Sequence, residues 1–160
     1  MSVNTDDLRI DSITELLEPD ALIREIPPSE QAQRTVNDAR AAIHNILSGS
    51  DDRLLAVVGP CSIHDTKAAL DYAKRLKATA DAVQSEICVV MRVYFEKPRT
   101  IVGWKGLIND PYLDNTFQIN EGLKLARGLL SELADMGLAA GTEYLDCLLY
   151  TSDAADDTPC

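Results

Sequence analysis

The sequence predicts an α/β fold built on a parallel sheet, and three observations carry that reading. Leu54-Leu55-Ala56-Val57-Val58 and Ile87-Cys88-Val89-Val90-Met91 are short apolar runs without alternation, the pattern of strands covered on both faces. Residues 66–83, between the runs, repeat their apolar positions at helical spacing. No hairpin turn joins any of these segments, so strand, helix and strand follow one another as βαβ units.

Taken in order, residues 1–30 are acidic, hold Pro19, Pro27 and Pro28, and read as an arm outside the main core. Within the arm, Ile10, Ile13, Leu16 and Leu17 recur at helical spacing and predict a short amphipathic helix over residues 11–17. Ser29 starts a clearer helix, with Val36, Ala39, Ile43, Ile46 and Leu47 on one face and a stop near Gly49. Asp51-Asp52-Arg53 is a polar turn into the first strand, which ends at Gly59-Pro60. Asp65 or Thr66 caps the next helix, whose core stripe is Ala69, Tyr72, Ala73, Leu76 and Ala80.

A second strand spans residues 87–94. A third helix is expected over 115–136, with Ile119, Leu123, Ala126, Leu130 and Leu133 on one face and Gly137 closing it. Residues 138–145 form a weaker third strand. Three strands do not close a barrel, since a (β/α)8 barrel takes roughly 250 residues. The residues alone leave two choices, a small open α/β sheet or the front part of something larger. Past Tyr150 neither period survives, and Asp153, Asp156 and Asp157 beside Thr158-Pro159 read as a disordered tail.

Composition narrows the function classes. The chain has 160 residues, 46% hydrophobic and 26% charged, as a globular domain does. No apolar run approaches the roughly 20 residues of a membrane span, and the start lacks the features of a signal peptide. A cytoplasmic address is the expectation. Cys61, Cys88, Cys147 and Cys160 form no C-x-x-C pair and are expected as reduced thiols. With 15 Lys+Arg against 26 Asp+Glu, the net charge of -11 disfavours nucleic acid as a partner. A small anion answers to the local field instead.

That field is positive in one place. The 14 residues 92–105 hold Arg92, Lys97, Arg99 and Lys105 against the single acid Glu96. They begin where the second strand gives way to a loop, the end of an α/β sheet where chemistry sits. Arg offers a planar fork and Lys a point charge for a carboxylate or phosphate. Lys97-Pro98-Arg99-Thr100 places two cations and a hydroxyl around a stiff proline, an arrangement suited to one phosphate. A solvated charged loop is the plainer alternative, though Tyr94, Phe95 and Trp104 are seldom spent on an unpacked loop. Cys61, His64 and Asp65 suggest a metal site, while a small buried cysteine and a hydrogen-bonding or surface histidine are the more frequent explanation of such residues. Parallel neighbours would bring Cys61 and Arg92 to one rim, with Glu143 of the third strand beside them, as a catalytic or as a structural carboxylate. Asn109-Asp110-Pro111 reads as a turn.

Three segments together resemble a known family: Gly59-Pro60-Cys61-Ser62-Ile63-His64-Asp65, residues 91–100 from Met91 through Lys97-Pro98-Arg99-Thr100, and residues 102–111 from Val102-Gly103-Trp104 to Pro111. They are similar to the class I 3-deoxy-D-arabino-heptulosonate 7-phosphate (DAHP) synthases over residues 5–146, and Asp6-Asp7-Leu8-Arg9-Ile10 resembles the phenylalanine-sensitive type. The resemblance implies the front part of a (β/α)8 TIM barrel, about three strands, with an N-terminal helical extension. It implies condensation of phosphoenolpyruvate with erythrose 4-phosphate, the first step of the shikimate pathway to aromatic amino acids.

It further implies Cys61 as a ligand of a divalent metal ion of the Mn, Fe, Co or Zn type, and removes His64 from that role. Arg92 and Lys97 are implied at phosphoenolpyruvate and the aldehyde, Lys97-Pro98-Arg99-Thr100 at erythrose phosphate, and Glu143 in the substrate site; Lys97 and Glu143 are the catalytic candidates. Feedback by an aromatic amino acid, phenylalanine first, is implied with Asp6, Asp7 and Asp146 as contributors, and so is a homo-oligomer of the intact parent. The expected organisation is an arm and helix over 1–50, the first βα units over 51–146, and a segment 147–160 that matches nothing in the family and resembles translated vector sequence. On that reading the 160-residue chain by itself is inactive. The rival is a small non-catalytic anion-binding or regulatory α/β module.

Overall fold

A computed structural model describes residues 13–97 and 103–143. It contains four helices, α1 (Pro19–Glu25), α2 (Glu30–Leu47), α3 (Thr66–Ala82) and α4 (Ile119–Asp135), and three strands, β1 (Leu54–Val58), β2 (Ile87–Arg92) and β3 (Ala140–Gly141). The sheet is parallel in the order β1-β2-β3, with Leu54 opposite Ile87 and Arg92 opposite Gly141. The expected α/β class is therefore observed. β2 and β3 are shorter than expected, and beyond β2 the pairing among the described residues continues through Val93 N–H to Gly141 O at 2.8 Å.

Helix ends follow local chemistry. Ser29 accepts from the Ala32 N–H at 2.9 Å to start α2, and Asp65 accepts from Lys67 and Ala68 N–H at 2.8 and 3.2 Å to start α3. Gly49 and Gly137, at φ 76° and 74°, end α2 and α4 in the left-handed conformation. Beyond each end, N–H groups fold back onto the last carbonyls, among them Ser50 to Asn45 at 2.8 Å and Leu138 to Leu133 at 3.0 Å.

The core lies between the sheet and helices α3 and α4. Met91 and Val93 of β2 and its extension pack with Ala69 and Ala73 of α3 and with Leu129 and Leu133 of α4. α2 lies on α4, and Thr35 Oγ1 donates to Ala134 O at 2.7 Å.

Several expectations are corrected. Residues 13–18, the described part of the helix expected over 11–17, carry no regular secondary structure, and the first helix begins at Pro19, whose fixed φ suits a first helical position. Asn120 holds this segment, accepting from Leu17 N–H at 2.9 Å and donating to Glu15 O at 3.0 Å. The arm is thus tied to α4, and Arg127 Nε reinforces it by donating to Ile26 O at 2.8 Å. α4 starts at Ile119 rather than near 115 because Leu113, Asn115 and Phe117 take φ values of 57°, 61° and 49°, incompatible with a right-handed helix. Val36, Leu47 and Tyr72, assigned to core stripes, are exposed. β1 is not covered on both faces: it is the sheet's edge among the described residues, with Leu54 69% and Val57 54% exposed. Leaving such side chains in water forgoes about 1.5–3 kcal/mol each.

Candidate active site

The strand ends assemble one polar cluster. β1 runs into Gly59, where an added Cβ would lie 2.6 Å from the Arg92 carbonyl oxygen, so β1 and β2 approach closely only because this residue is glycine. Ile63 N–H donates to Tyr94 O at 2.8 Å and ties the Gly59–Asp65 turn to the chain leaving β2. In consequence Cys61 and Arg92 meet. Arg92 Nη2 donates to Cys61 O at 3.3 Å and stands 4.0 Å from Cys61 Sγ.

Arg92 also lies over the ring of Tyr94, its guanidinium carbon 4.0 Å from the centroid, a cation–π contact. Hydrogen bonding toward Glu143, just past β3, raises the Tyr94 phenol above its ordinary pKa; desolvation and the Glu143 charge push the same way, and Arg92 opposes them. The row Cys61, Arg92, Tyr94, Glu143 therefore crosses the ends of all three strands. Within it the Arg92 Nε–H is buried without a partner. A buried donor left unmade costs about 1–3 kcal/mol, and an anion at this rim would satisfy it.

The next turn extends the positive field. Glu96 and Gly106 form an antiparallel bridge, and Lys97 N–H donates to Lys105 O at 2.8 Å. Gly106 is obligatory, since a Cβ there would fall 2.1 Å from Phe95 O. The Lys97 ammonium stands 5.9 Å from the Trp104 ring centroid. Trp104 is held by its indole N–H, which donates to Asp110 O at 2.7 Å. Asp110 is more than the turn residue expected: it is 3% exposed, and its Oδ2 accepts from Asn115 N–H at 3.3 Å. Its apolar surroundings, Leu107 and Ile108, were the available sequence signal.

Of the candidate residues, the structure brings Cys61, Arg92 and Glu143 to one rim and sets Lys97 on the adjoining turn. Pro98, Arg99, Thr100, Asp6, Asp7 and Asp146 lie outside the described residues. His64 is exposed. Tyr94 is the residue that sequence reasoning undervalued, treating it as loop packing. As to a metal, Cys61 is an exposed thiol at the rim, a soft donor suited to a transition-metal ion. Among the described residues no three His, Cys, Asp or Glu side chains converge. A groove of about 370 Å³ between α2 and α4, lined in part by Ala32, Val36, Arg127 and Leu130, shares no residue with this cluster.

Comparison with known proteins places the chain in a family. The Phe-sensitive phospho-2-dehydro-3-deoxyheptonate aldolase of Escherichia coli K12 is 59% identical over 148 residues, covering 92% of this chain and 42% of that protein. The Tyr-sensitive form from the same organism is 53% identical over 131 residues, 82% of this chain and 37% of that protein. The solved phospho-2-dehydro-3-deoxyheptonate aldolase of Francisella tularensis SCHU S4 superposes with a TM-score of 0.82 at 52% identity, over 86% of this chain and 40% of that one. The chain spans about two fifths of the length of these relatives. Its open three-stranded sheet is the front part of a (β/α)8 barrel. The model of the DAHP synthetase I family matches residues 26–156, and the chain belongs to that family.

Proposed function

We propose that the protein to which this chain contributes condenses phosphoenolpyruvate with erythrose 4-phosphate, consuming one water and giving DAHP and inorganic phosphate at the head of aromatic amino acid synthesis. The observation that carries the reading is the buried, unpartnered Arg92 Nε–H at the strand rim, between Cys61 and Glu143 in a chain of this family. Arg92 binds and orients phosphoenolpyruvate through one of its negative groups, and Lys97 holds the facing anion or aldehyde. Lys97-Pro98-Arg99-Thr100 receives the sugar phosphate. Glu143 takes or gives a proton during bond formation. Cys61 would be one ligand of a divalent ion, which supplies Lewis-acid polarisation of the aldehyde when bound.

Two parts of the reading concern the whole protein. Similarity to the Phe-sensitive relative supports phenylalanine as the feedback effector, with Asp6, Asp7 and Asp146 contributing, in a cytoplasmic homo-oligomer. Among the described residues no helix is long and apolar enough to cross a membrane. The net charge of -11 supports small anions, not nucleic acid, as ligands.

The test is a chimera that joins residues 1–146 to the remaining part of the E. coli Phe-sensitive relative. Metal-dependent phosphate release from the two substrates together, and its loss in Arg92→Ala, is the expected result. A folded chimera that binds metal but releases no phosphate would overturn the reading. The 160-residue chain alone is expected to release no phosphate above background, and metal-dependent turnover by it would refute that expectation.

A further inference from the structure

The groove between α2 and α4 has a chemistry of its own. It encloses about 370 Å³ between mainly apolar walls, with Ala32 and Val36 of α2 facing Leu130 of α4. Arg127 is the charged residue of its lining, and Asn37 and Ser131 add an amide and a hydroxyl. Arg127 is half-buried and held at one atom, Nε, which donates to Ile26 O at 2.8 Å. Arg34, Arg53, Arg75, Lys77 and Lys124 each pair with an acid. No carboxylate pairs with Arg127 among the described residues. We propose that this groove is a ligand site that takes a small monocarboxylate with a compact apolar tail.

The head of the ligand follows from the arginine. The carbonyl of Ile26, where α1 ends, fixes the guanidinium through Nε and leaves the Nη donors for a planar acceptor. A carboxylate matches that fork, and its attraction is stronger at a half-buried guanidinium than in open water. The Asn37 and Ser131 side chains make no hydrogen bond among the described residues and are placed to meet the second carboxylate oxygen. The tail follows from the walls, since Val36 and Leu130 gain by removing apolar surface from water. Mainly apolar walls with a few convergent polar groups are what small-molecule sites consist of. A phosphate dianion suits the groove poorly, because one cation faces it and the walls offer it nothing. A second copy of the chain suits it poorly as well: stable interfaces bury roughly 1,200 Å² or more, and this groove is the size of a small molecule.

Binding is read from the backbone amide resonances of the isotope-labelled 160-residue chain. The chain is titrated with isocaproate, with its uncharged amide isocaproamide, and with inorganic phosphate. Isocaproate is expected to shift the resonances of Ala32, Val36, Leu130 and Ser131 saturably, with a Kd on the order of 1 mM. Isocaproamide keeps the tail and phosphate keeps the charge; each is expected to bind the groove about tenfold more weakly or worse. Arg127→Gln is expected to weaken isocaproate by about tenfold. That variant also gives up the bond to Ile26 O, so Val36→Glu is the second. It leaves Arg127 in place, sits at an exposed position, and puts a carboxylate into the groove. It is expected to abolish the isocaproate shifts. Arg34→Gln, on α2 outside the lining, is expected to leave them unchanged.

Equal binding of acid and amide, or isocaproate shifts that survive Val36→Glu, overturns the proposal. So does the absence of a saturable shift in the wild type. Groove resonances that move with protein concentration and not with isocaproate would make this face a contact between copies, and overturn it too. Phosphate as strong as isocaproate would overturn the ligand class. None of these outcomes bears on Arg92, since the groove and the strand rim share no residue.

Discussion

Any side chain at position 122 would strike the backbone of Ile108: a Cβ built on Gly122 lies 2.1 Å from the Ile108 carbonyl oxygen and 2.7 Å from its Cα. α4 therefore packs backbone to backbone on the segment that carries Trp104 and Asp110, and the helix holds that segment near the site. Gly128, two turns along the same helix, has nothing within 4 Å of an added Cβ. The two glycines make a controlled pair. Helix propensity alone favours alanine over glycine by about 1 kcal/mol at either position. Gly128→Ala is expected to be neutral or stabilising, whereas Gly122→Ala is expected to lose about 1–3 kcal/mol through overpacking. Thermal melts of the two variants check this, and equal behaviour would show that the contact at Ile108 yields without cost.

The indole of Trp104 and the Asp110 carbonyl fix the other side of the same segment, at 2.7 Å. Trp104→Phe removes the donor, keeps an aromatic face near Lys97, and leaves a buried carbonyl with one fewer partner. A loss of about 1–3 kcal/mol is expected, measured by denaturant unfolding. Trp104→Leu removes the aromatic face as well and is expected to weaken anion binding beyond Trp104→Phe. Equal affinities in the two variants would show that the Lys97 contact at 5.9 Å contributes nothing.

The edge of the sheet makes a prediction about solution behaviour. β1 is apolar along its whole length, yet Leu54 and Val57 are 69% and 54% exposed and no strand covers its outer edge among the described residues. Such an edge recruits other chains. The chain is expected to self-associate as its concentration rises, and Leu54→Lys is expected to reduce that association with a stability change within about 0.5 kcal/mol. Light scattering against concentration decides the point, and an unchanged profile in the lysine variant would place the association elsewhere.

How much of this was legible beforehand follows from the physics of each element. The β1–α3–β2 unit was readable because unbroken apolar runs and a helical stripe with an Asp65 cap are local signals. The meeting of Cys61 with Arg92 followed from adjacency of parallel strands, a topological rule that needs no coordinates. The arm was misread because Ile13, Leu16 and Leu17 have helical spacing, while a tertiary partner, Asn120, is 103 residues distant from Leu17. The start of α4 was misread because three non-glycine residues with positive φ leave no mark in apolar periodicity. The contact of the Tyr94 ring with Arg92 was invisible for a different reason: apolar periodicity treats Tyr94 as packing and carries no mark of a cation over its face.

The Tyr94 phenol sets a pH dependence. It is raised from 10.0, first by hydrogen bonding toward Glu143 and then by desolvation and the Glu143 charge. The folded chain therefore retains the phenolic proton at pH values where the unfolded chain has begun to lose it. Stability from this group is fully present below the unfolded value of about 10 and is lost as pH rises through the higher folded value. Glu143→Gln removes the charge and weakens the acceptor, so the phenol should titrate closer to its ordinary value and the alkaline loss of stability should begin from a smaller contribution. Ultraviolet titration of the tyrosinate band, with Tyr94→Phe identifying the Tyr94 component, measures the shift. A Tyr94 component that titrates at its ordinary value in the wild type, or that is unmoved in Glu143→Gln, would show that the hydrogen bond does not hold in solution.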